Sequence, residues 1–138
     1  FQATRIEEML LKGRSTIPHS IQTLMMIDSL DMTDADRKII LEHCKTCPEE
    51  RIIVTHGTDT MTETALQLGA AKLPKTIIIT GAMVPYTFGS SDGMFNLGSS
   101  MAYVQCLPHG VYVVMNGKAY QWDNVMKNKK TGFFEPIS

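Results

Sequence analysis

The sequence is poor in the features that mark a membrane span, a disulfide scaffold or a nucleic-acid partner. No apolar run approaches the roughly 18 residues of a membrane-spanning helix. Charge of one sign is missing too: 13 Lys and Arg against 14 Asp and Glu leave a net charge of −1. The basic residues are spread along the chain, so there is no electrostatic footprint for nucleic acid or an acidic membrane. Cysteine is scarce and odd in number, three in 138 residues. That argues against a disulfide framework and for a reducing, cytoplasmic compartment. Cys44-Lys45-Thr46-Cys47 has the C-x-x-C form. It falls at the C-terminal end of a predicted helix, where the dipole raises thiol pKa, and no second pair completes a zinc site. His19, His43 and His109 show no ligand spacing. No metal and no cofactor is therefore expected. Nor does a repeat or low-complexity linker divide the chain, whose length fits one domain.

What is present is organised around residues 51–64, Arg-Ile-Ile-Val-Thr-His-Gly-Thr-Asp-Thr-Met-Thr-Glu-Thr. Arg51 to Val54 is a short β-branched run, too short for a helix and typical of a buried strand. Gly57 permits a sharp reversal. Thr60 followed three residues later by Glu63 reads as a capping box, which predicts a helix from Met61 to about Leu68. This places Thr55, His56, Thr58 and Asp59 at the carboxyl end of a strand and beside a helix N-terminus. Open α/β sheets bind ligands at that edge, and unpaired N–H groups there favour an anion or a developing oxyanion.

Around this centre, residues 5–12 predict an amphipathic helix closed by Gly13, with Ile6, Met9 and Leu10 on one face. Ile21 to Ile27 reads as a strand ending at Asp28-Ser29-Leu30. Thr33 with Asp36 caps a helix to about Cys44. Thr76 to Thr80 is the clearest buried strand. Pro85 and Gly89 make a loop, Ser90 or Ser91 caps a helix from Gly93 to about Leu107, and Asp92 satisfies backbone donors at that start. Val111 to Met115 is a third strand, followed by the turn dipeptide Asn116-Gly117. The ten methionines read as core filler. Strands alternating with helices at these lengths predict βαβ units with right-handed crossovers, a mainly parallel sheet and a doubly wound, three-layer α/β fold of the Rossmann or flavodoxin kind.

Two blocks carry a family resemblance. His56-Gly57-Thr58-Asp59-Thr60-Met61 with Glu63-Thr64 resembles the second signature of the bacterial-type L-asparaginases. Thr80-Gly81-Ala82-Met83 with Pro85, then Ser91-Asp92-Gly93 and Asn96-Leu97, resembles the block that follows it. The resemblance covers most of an asparaginase N-terminal domain and none of the C-terminal one. It implies a single asparaginase-like domain over residues 1–138, without the leading Thr-Gly-Gly-Thr strand and mobile loop. Since the first residue is Phe1 and no basic-then-apolar leader follows it, the expectation is that a start has been processed away or lies outside these residues.

The same resemblance implies roles. Thr58, Asp59 and Lys127 would be catalytic, Lys127 being the best match by spacing to the family lysine, with Lys129 and Lys130 as near competitors. Ser29, Gly57, Thr58, Asp59 and Ala82 would bind substrate, Ser29 through the α-carboxylate. Leu30 departs from the pattern, because the family places a polar side chain there. His56 is expected to be a packed supporting residue. A threonine hydroxyl needs a neighbouring base to become a nucleophile, and a lysine oriented by Asp59 would follow the logic of the Ser-His-Asp triad. The implied partner is a small amino-acid amide, in a homo-oligomer (dimer or tetramer), with no nucleic acid and no membrane. Three readings stay open: an asparaginase-like amidohydrolase, an amino-acid-binding module without turnover, and a subunit of a larger amidohydrolase or amidotransferase.

Overall fold

The computed structural model describes residues 3–85 and 90–138. Three β-branched segments form the parallel part of a four-stranded sheet: β1 (Arg51–Thr55), β2 (Thr76–Thr80) and β3 (Gly110–Met115). Their order is β1-β2-β3, with Arg51 level with Thr76 and Thr76 level with Gly110. A fourth strand, β4 (Lys118–Gln121), runs antiparallel to β3. Asn116 and Gly117 make that reversal at φ 56° and 79°. Positive φ at both central residues is the type I′ geometry that matches strand twist, which is why this dipeptide closes a hairpin.

Two helices supply the crossovers, α3 (Met61–Ala70) between β1 and β2 and α4 (Gly93–Cys106) between β2 and β3. They lie on opposite faces; since the strands step in one direction, β1-β2-β3, the two crossovers have opposite hands, and the expectation of right-handed crossovers throughout is corrected for one of them. Ile77, Ile79, Val111 and Val113 pack with Met61, Ala65 and Leu68 of α3. Ile78, Tyr112 and Val114 pack with Val104 of α4. Outside these, α2 (Asp34–Thr46) joins the α3 side through Ile40 and Cys44. On the other side α1 (Ala3–Lys12) sets Met9 and Leu10 against Leu97. The expected doubly wound α/β fold is the one observed. Every residue of β2 is buried, and full burial of each of its isoleucines contributes about 1.5–3 kcal/mol.

A small ribbon completes the fold, β5 (Met126–Lys127) pairing antiparallel with β6 (Phe134–Glu135). It is tied to the hairpin at two points. The Phe134 N–H donates to Asn116 Oδ1 at 2.8 Å, and the Tyr120 hydroxyl donates to the Phe134 carbonyl at 2.9 Å. Val125 and Phe134 are buried in the main core, so the short ribbon is held by packing.

Several boundaries follow the sequence closely, and four local readings are corrected. The Thr33–Asp36 capping box is fully formed at the start of α2. Residues 21–27 do not form a strand: among the described residues none of their backbone groups has a hydrogen-bond partner, and a strand exists only against a neighbour. Thr60 occupies the N-cap of α3 without a side-chain cap bond, because its hydroxyl and the Glu63 carboxylate are both engaged elsewhere. At the end of α1 the left-handed residue is Arg14, at φ 55°, not Gly13. At the start of α4 Ser91 accepts the Gly93 N–H at 2.9 Å, as expected, but the N-cap Asp92 makes no cap bond to the helix, its carboxylate accepting the Met83 and Val84 N–H groups instead. Of the expected loop residues, Gly89 lies outside the described residues. The methionine reading is split: Met9, Met61 and Met115 are core, whereas Met26, Met83 and Met126 are exposed.

Candidate active site

The site lies where β1 and β2 end. The His56 N–H donates to the Thr80 carbonyl at 2.8 Å, extending the ladder by one bond before the chain turns. At the facing strand end a Cβ on Gly81 would run into the His56 carbonyl, so only glycine lets the two chains approach this closely,. After Gly57 the backbone leaves the sheet and presents Thr58 and Asp59 just before α3. Among the described residues no acceptor pairs with the N–H of Gly57 or of Thr58.

Five contacts fix this turn from below. The Thr60 hydroxyl donates to the Ser29 carbonyl at 2.8 Å, tying the turn to the 3₁₀ turn at Ser29–Asp31. The Glu63 carboxylate accepts from Arg37 Nη2 at 2.8 Å, and Arg37 Nη1 also donates to Asp34, which locks the first turn of α3 to α2. His56 is buried. Its Nδ1 lies 2.8 Å from the Gly57 carbonyl, which can only accept, so Nδ1 carries the proton,. Nε2 is then free to accept the Thr64 hydroxyl at 2.7 Å. Burial holds the His56 pKa below the ordinary histidine value, and the nearby Arg37 charge pushes the same way. A neutral, fully bonded imidazole of this kind supports the turn and is not placed for acid–base work.

Onto this turn comes a residue from 68 positions further along the chain. Lys127, at the end of β5, donates from Nζ to Thr58 Oγ1 at 3.0 Å and to Asp59 Oδ1 at 3.0 Å. The lysine side chain is 15% exposed and the Asp59 side chain 47%, so the amine is sheltered while the carboxylate stays open to a ligand. Lys129 and Lys130 are exposed and make no such contact. An ammonium donating to a hydroxyl oxygen lies on the line along which, as a neutral amine, it takes that hydroxyl's proton.

The remaining expected residues surround this cluster. Ser29, Gly57, Thr58, Asp59 and Ala82 line one groove. Ser29 is 2% exposed and its Oγ is without a hydrogen-bond partner. An orphaned buried hydroxyl costs about 1–3 kcal/mol, so it is poised for a polar group brought by a ligand. A Cβ on Gly57 would lie 2.8 Å from that Oγ, so any side chain at 57 would displace it. Leu30 is 70% exposed and takes no part.

Two residues form a clamp that the sequence showed only in outline. Asp92 accepts the Met83 and Val84 N–H groups at 3.0 Å each, while Asn96 Nδ2 donates to the Gly81 carbonyl at 2.8 Å and to Asp92 at 3.0 Å. Together they hold the backbone on either side of Ala82. The signal available was their spacing, four residues apart and therefore on one face of α4.

Among the described residues neither the cysteines nor the other histidines hydrogen-bond to Thr58, Asp59 or Lys127. Cys44, Cys47 and Cys106 are free, and burial pushes the Cys44 thiol up to about 11. His19 is paired with Glu7 on the surface. Among the described residues no group of three His, Cys, Asp or Glu side chains could hold a metal ion. No helix of the described residues is long and apolar enough to cross a membrane.

Comparison with known proteins identifies the family. The family model "Asparaginase, N-terminal" matches residues 2–134. L-asparaginase 2 of Escherichia coli is 36% identical over 119 residues, 80% of this chain and 33% of that protein. The glutaminase-asparaginase of Pseudomonas fluorescens is 41% identical over 90 residues, 61% of this chain and 25% of that protein. Among solved structures, a probable cytoplasmic L-asparaginase from Campylobacter jejuni superposes with a TM-score of 0.79 at 29% identity, over 88% of this chain and 41% of that one. The chain thus spans about a third of the length of the curated relatives it matches. A sheet of this topology, its paired sequence blocks and a match over nearly every residue make the chain a member of the asparaginase family, by its N-terminal domain.

Proposed function

We propose that the full-length protein is an asparaginase-like amidohydrolase that converts L-asparagine to L-aspartate and ammonia. The observation that carries this reading is the contact of Lys127 Nζ with both Thr58 Oγ1 and Asp59 Oδ1, at 3.0 Å each. In the reading, Lys127 takes the Thr58 proton as that oxygen attacks the amide carbon, and once ammonia has left, a water that Lys127 deprotonates cleaves the resulting Thr58 ester, releasing L-aspartate and restoring the hydroxyl. The negative charge gathers on the amide oxygen, where the unpaired N–H groups of Gly57 and Thr58 can receive it. The proton then passes to the departing nitrogen, which leaves as ammonia, and Asp59 keeps the amine in place.

Substrate recognition follows from the same groove. The orphaned Ser29 hydroxyl suits the α-carboxylate, the half-exposed Asp59 carboxylate suits the α-ammonium, and the Ala82 backbone, held by Asp92 and Asn96, would form the opposite wall. The three free thiols fit a cytoplasmic setting,, and the proposed assembly is a homo-oligomer, as the family resemblance implies. Incubating the full-length protein with L-asparagine should release ammonia, and Thr58→Ala should abolish the release. Turnover that survives the substitution removes Thr58 from its assigned role.

A second reading has one specific observation behind it. Leu30 stands exposed where the family offers a polar side chain to the ligand, which weakens the carboxylate end of the site. On that reading the protein holds the amino acid without hydrolysing it. Saturable L-aspartate binding by calorimetry, with no ammonia released from L-asparagine, would select it.

A further inference from the structure

Beneath the Thr58 turn, Arg37, Thr60 and Glu63 hold one of two arrangements that the sequence allows. Thr60-Met61-Thr62-Glu63 has the spacing of a capping box, and the Thr33–Asp36 box of α2 shows where the hydrogens of such a box go. There the threonine hydroxyl accepts the Asp36 N–H at 3.3 Å and donates its own proton to the Asp36 carboxylate at 3.0 Å. The same carboxylate accepts the Thr33 N–H at 2.9 Å. At the start of α3 none of these bonds forms among the described residues. The Thr60 hydroxyl gives its proton to the Ser29 carbonyl at 2.8 Å instead. A hydroxyl has one proton to donate, so closing the box onto Glu63 would take it from Ser29.

Arg37 is what holds Glu63 out of the box. Its Nη2 donates to the Glu63 carboxylate at 2.8 Å, across to α2, and in that position the carboxylate does not bond to the Thr60 N–H. As a stabilising device the pair is poor. The arginine is 5% exposed with its Nε unpartnered, whereas the Glu63 and Asp34 side chains are 60% and 79% exposed. Burying a cation costs its hydration, and carboxylates standing in water return little of that cost. What the pair does achieve is to fix the direction of Glu63, and the bond this preserves bears on the groove. Among the described residues, Thr60 Oγ1 makes the one hydrogen bond that joins the Ser29–Asp31 turn to a distant segment. Ser29 in turn lies against Gly57, where a Cβ would stand 2.8 Å from its Oγ.

We propose that Arg37 is a positioning residue: by holding Glu63 it keeps the Thr60 hydroxyl on the Ser29 carbonyl, and so sets the spacing between the Ser29 hydroxyl and Thr58. Arg37, Thr60 and Glu63 do not line the groove, so the effect reaches the substrate only through Ser29. The inference rests on the assignment of Ser29 to the substrate α-carboxylate in the proposed hydrolysis. Without the guanidinium, Glu63 turns back on Thr60, the box closes and the Ser29 turn loses its tie.

The test uses the full-length protein with Arg37→Met, alone and combined with Glu63→Ala. Arg37→Met should raise KM for L-asparagine about tenfold, the worth of one hydrogen bond to a charged group, while kcat falls by less. The Thr60 amide, newly bonded to Glu63, should exchange its hydrogen about tenfold more slowly. Adding Glu63→Ala removes the partner that closes the box, so both quantities should return to within about threefold of the unsubstituted protein. A pair that merely braced α2 against α3 would not be rescued by losing its other half. An unchanged KM in Arg37→Met, a double variant as impaired as the single one, or no slowing at the Thr60 amide overturns the proposal. If Arg37→Met does not fold, Thr60→Val removes the same bond to Ser29 from outside the buried pair, and an unchanged KM there overturns it equally. A full-length protein that releases no ammonia counts against the hydrolysis alone: the Thr60 amide, with the Kd for L-aspartate in place of KM, then decides the role of Arg37.

Discussion

Two lysines of this chain are largely covered, and their surroundings differ in kind. Lys75 is 8% exposed and its ammonium donates to the Cys44 and Cys47 carbonyls at 2.6 Å, with Cys47 Sγ at 3.5 Å. It meets carbonyl oxygens at the C-terminus of α2, where the helix dipole offers partial negative charge. Lys127 meets a hydroxyl and a carboxylate, one an exchangeable proton donor and the other a full charge still open to solvent. Burial alone does not mark a chemical group. The partners do: carbonyls can only be capped, whereas a hydroxyl beside a carboxylate can be activated.

Substitution at each lysine sharpens that contrast. Lys127→Met in the full-length protein should cut ammonia release by about 10²–10⁴-fold, the usual worth of a general base, while the melting temperature moves little. Steady-state rates and a thermal scan on the same sample check both halves. Lys75→Met should do the reverse. Activity per folded molecule is kept, and stability falls by about 1.5–3 kcal/mol for the lost charged hydrogen bonds, seen as a lower denaturant midpoint at unchanged slope. If Lys75→Met spared stability, or Lys127→Met lost it, the division between cap and base would fail.

The smallest expected effect concerns His56, which supports the turn under Thr58. Its folded pKa lies below its unfolded value of 6.5. Between those two values the unfolded chain binds more protons than the folded one, so stability rises with pH there and is lost as pH falls from 6.5 toward the folded pKa,. Denaturant midpoints measured between about pH 7.5 and 5.5 should drop on acidification, and His56→Gln should flatten the drop. An unchanged slope in the variant would assign the loss to other groups.

Reading the chain in order made the main elements legible for identifiable reasons. Thr76 to Thr80 was plain because a wholly buried parallel strand is apolar without alternation. The Thr33–Asp36 box was plain because both partners are local. The Thr60–Glu63 pair has the same local pattern, yet its members bond to Ser29 and Arg37, residues 31 and 26 positions away. A motif does not show that competition. The run Ile21 to Ile27 failed as a strand for a related reason: its sequence suits the conformation, but a ladder needs a second chain segment beside it, and none is there among the described residues. His56 stood out by position only, and its supporting role rests on Thr64 lying under its ring.

The local pattern of residues determined the β-branched runs, the turn dipeptide at Asn116-Gly117, the alternation that makes a parallel sheet and the two blocks that name the family. These depend on neighbours within a few positions, where spacing fixes geometry. Tertiary structure alone decided that the lysine at 127, and not those at 129 or 130, reaches Thr58. That choice is made by a two-residue ribbon pinned to Asn116 and Tyr120.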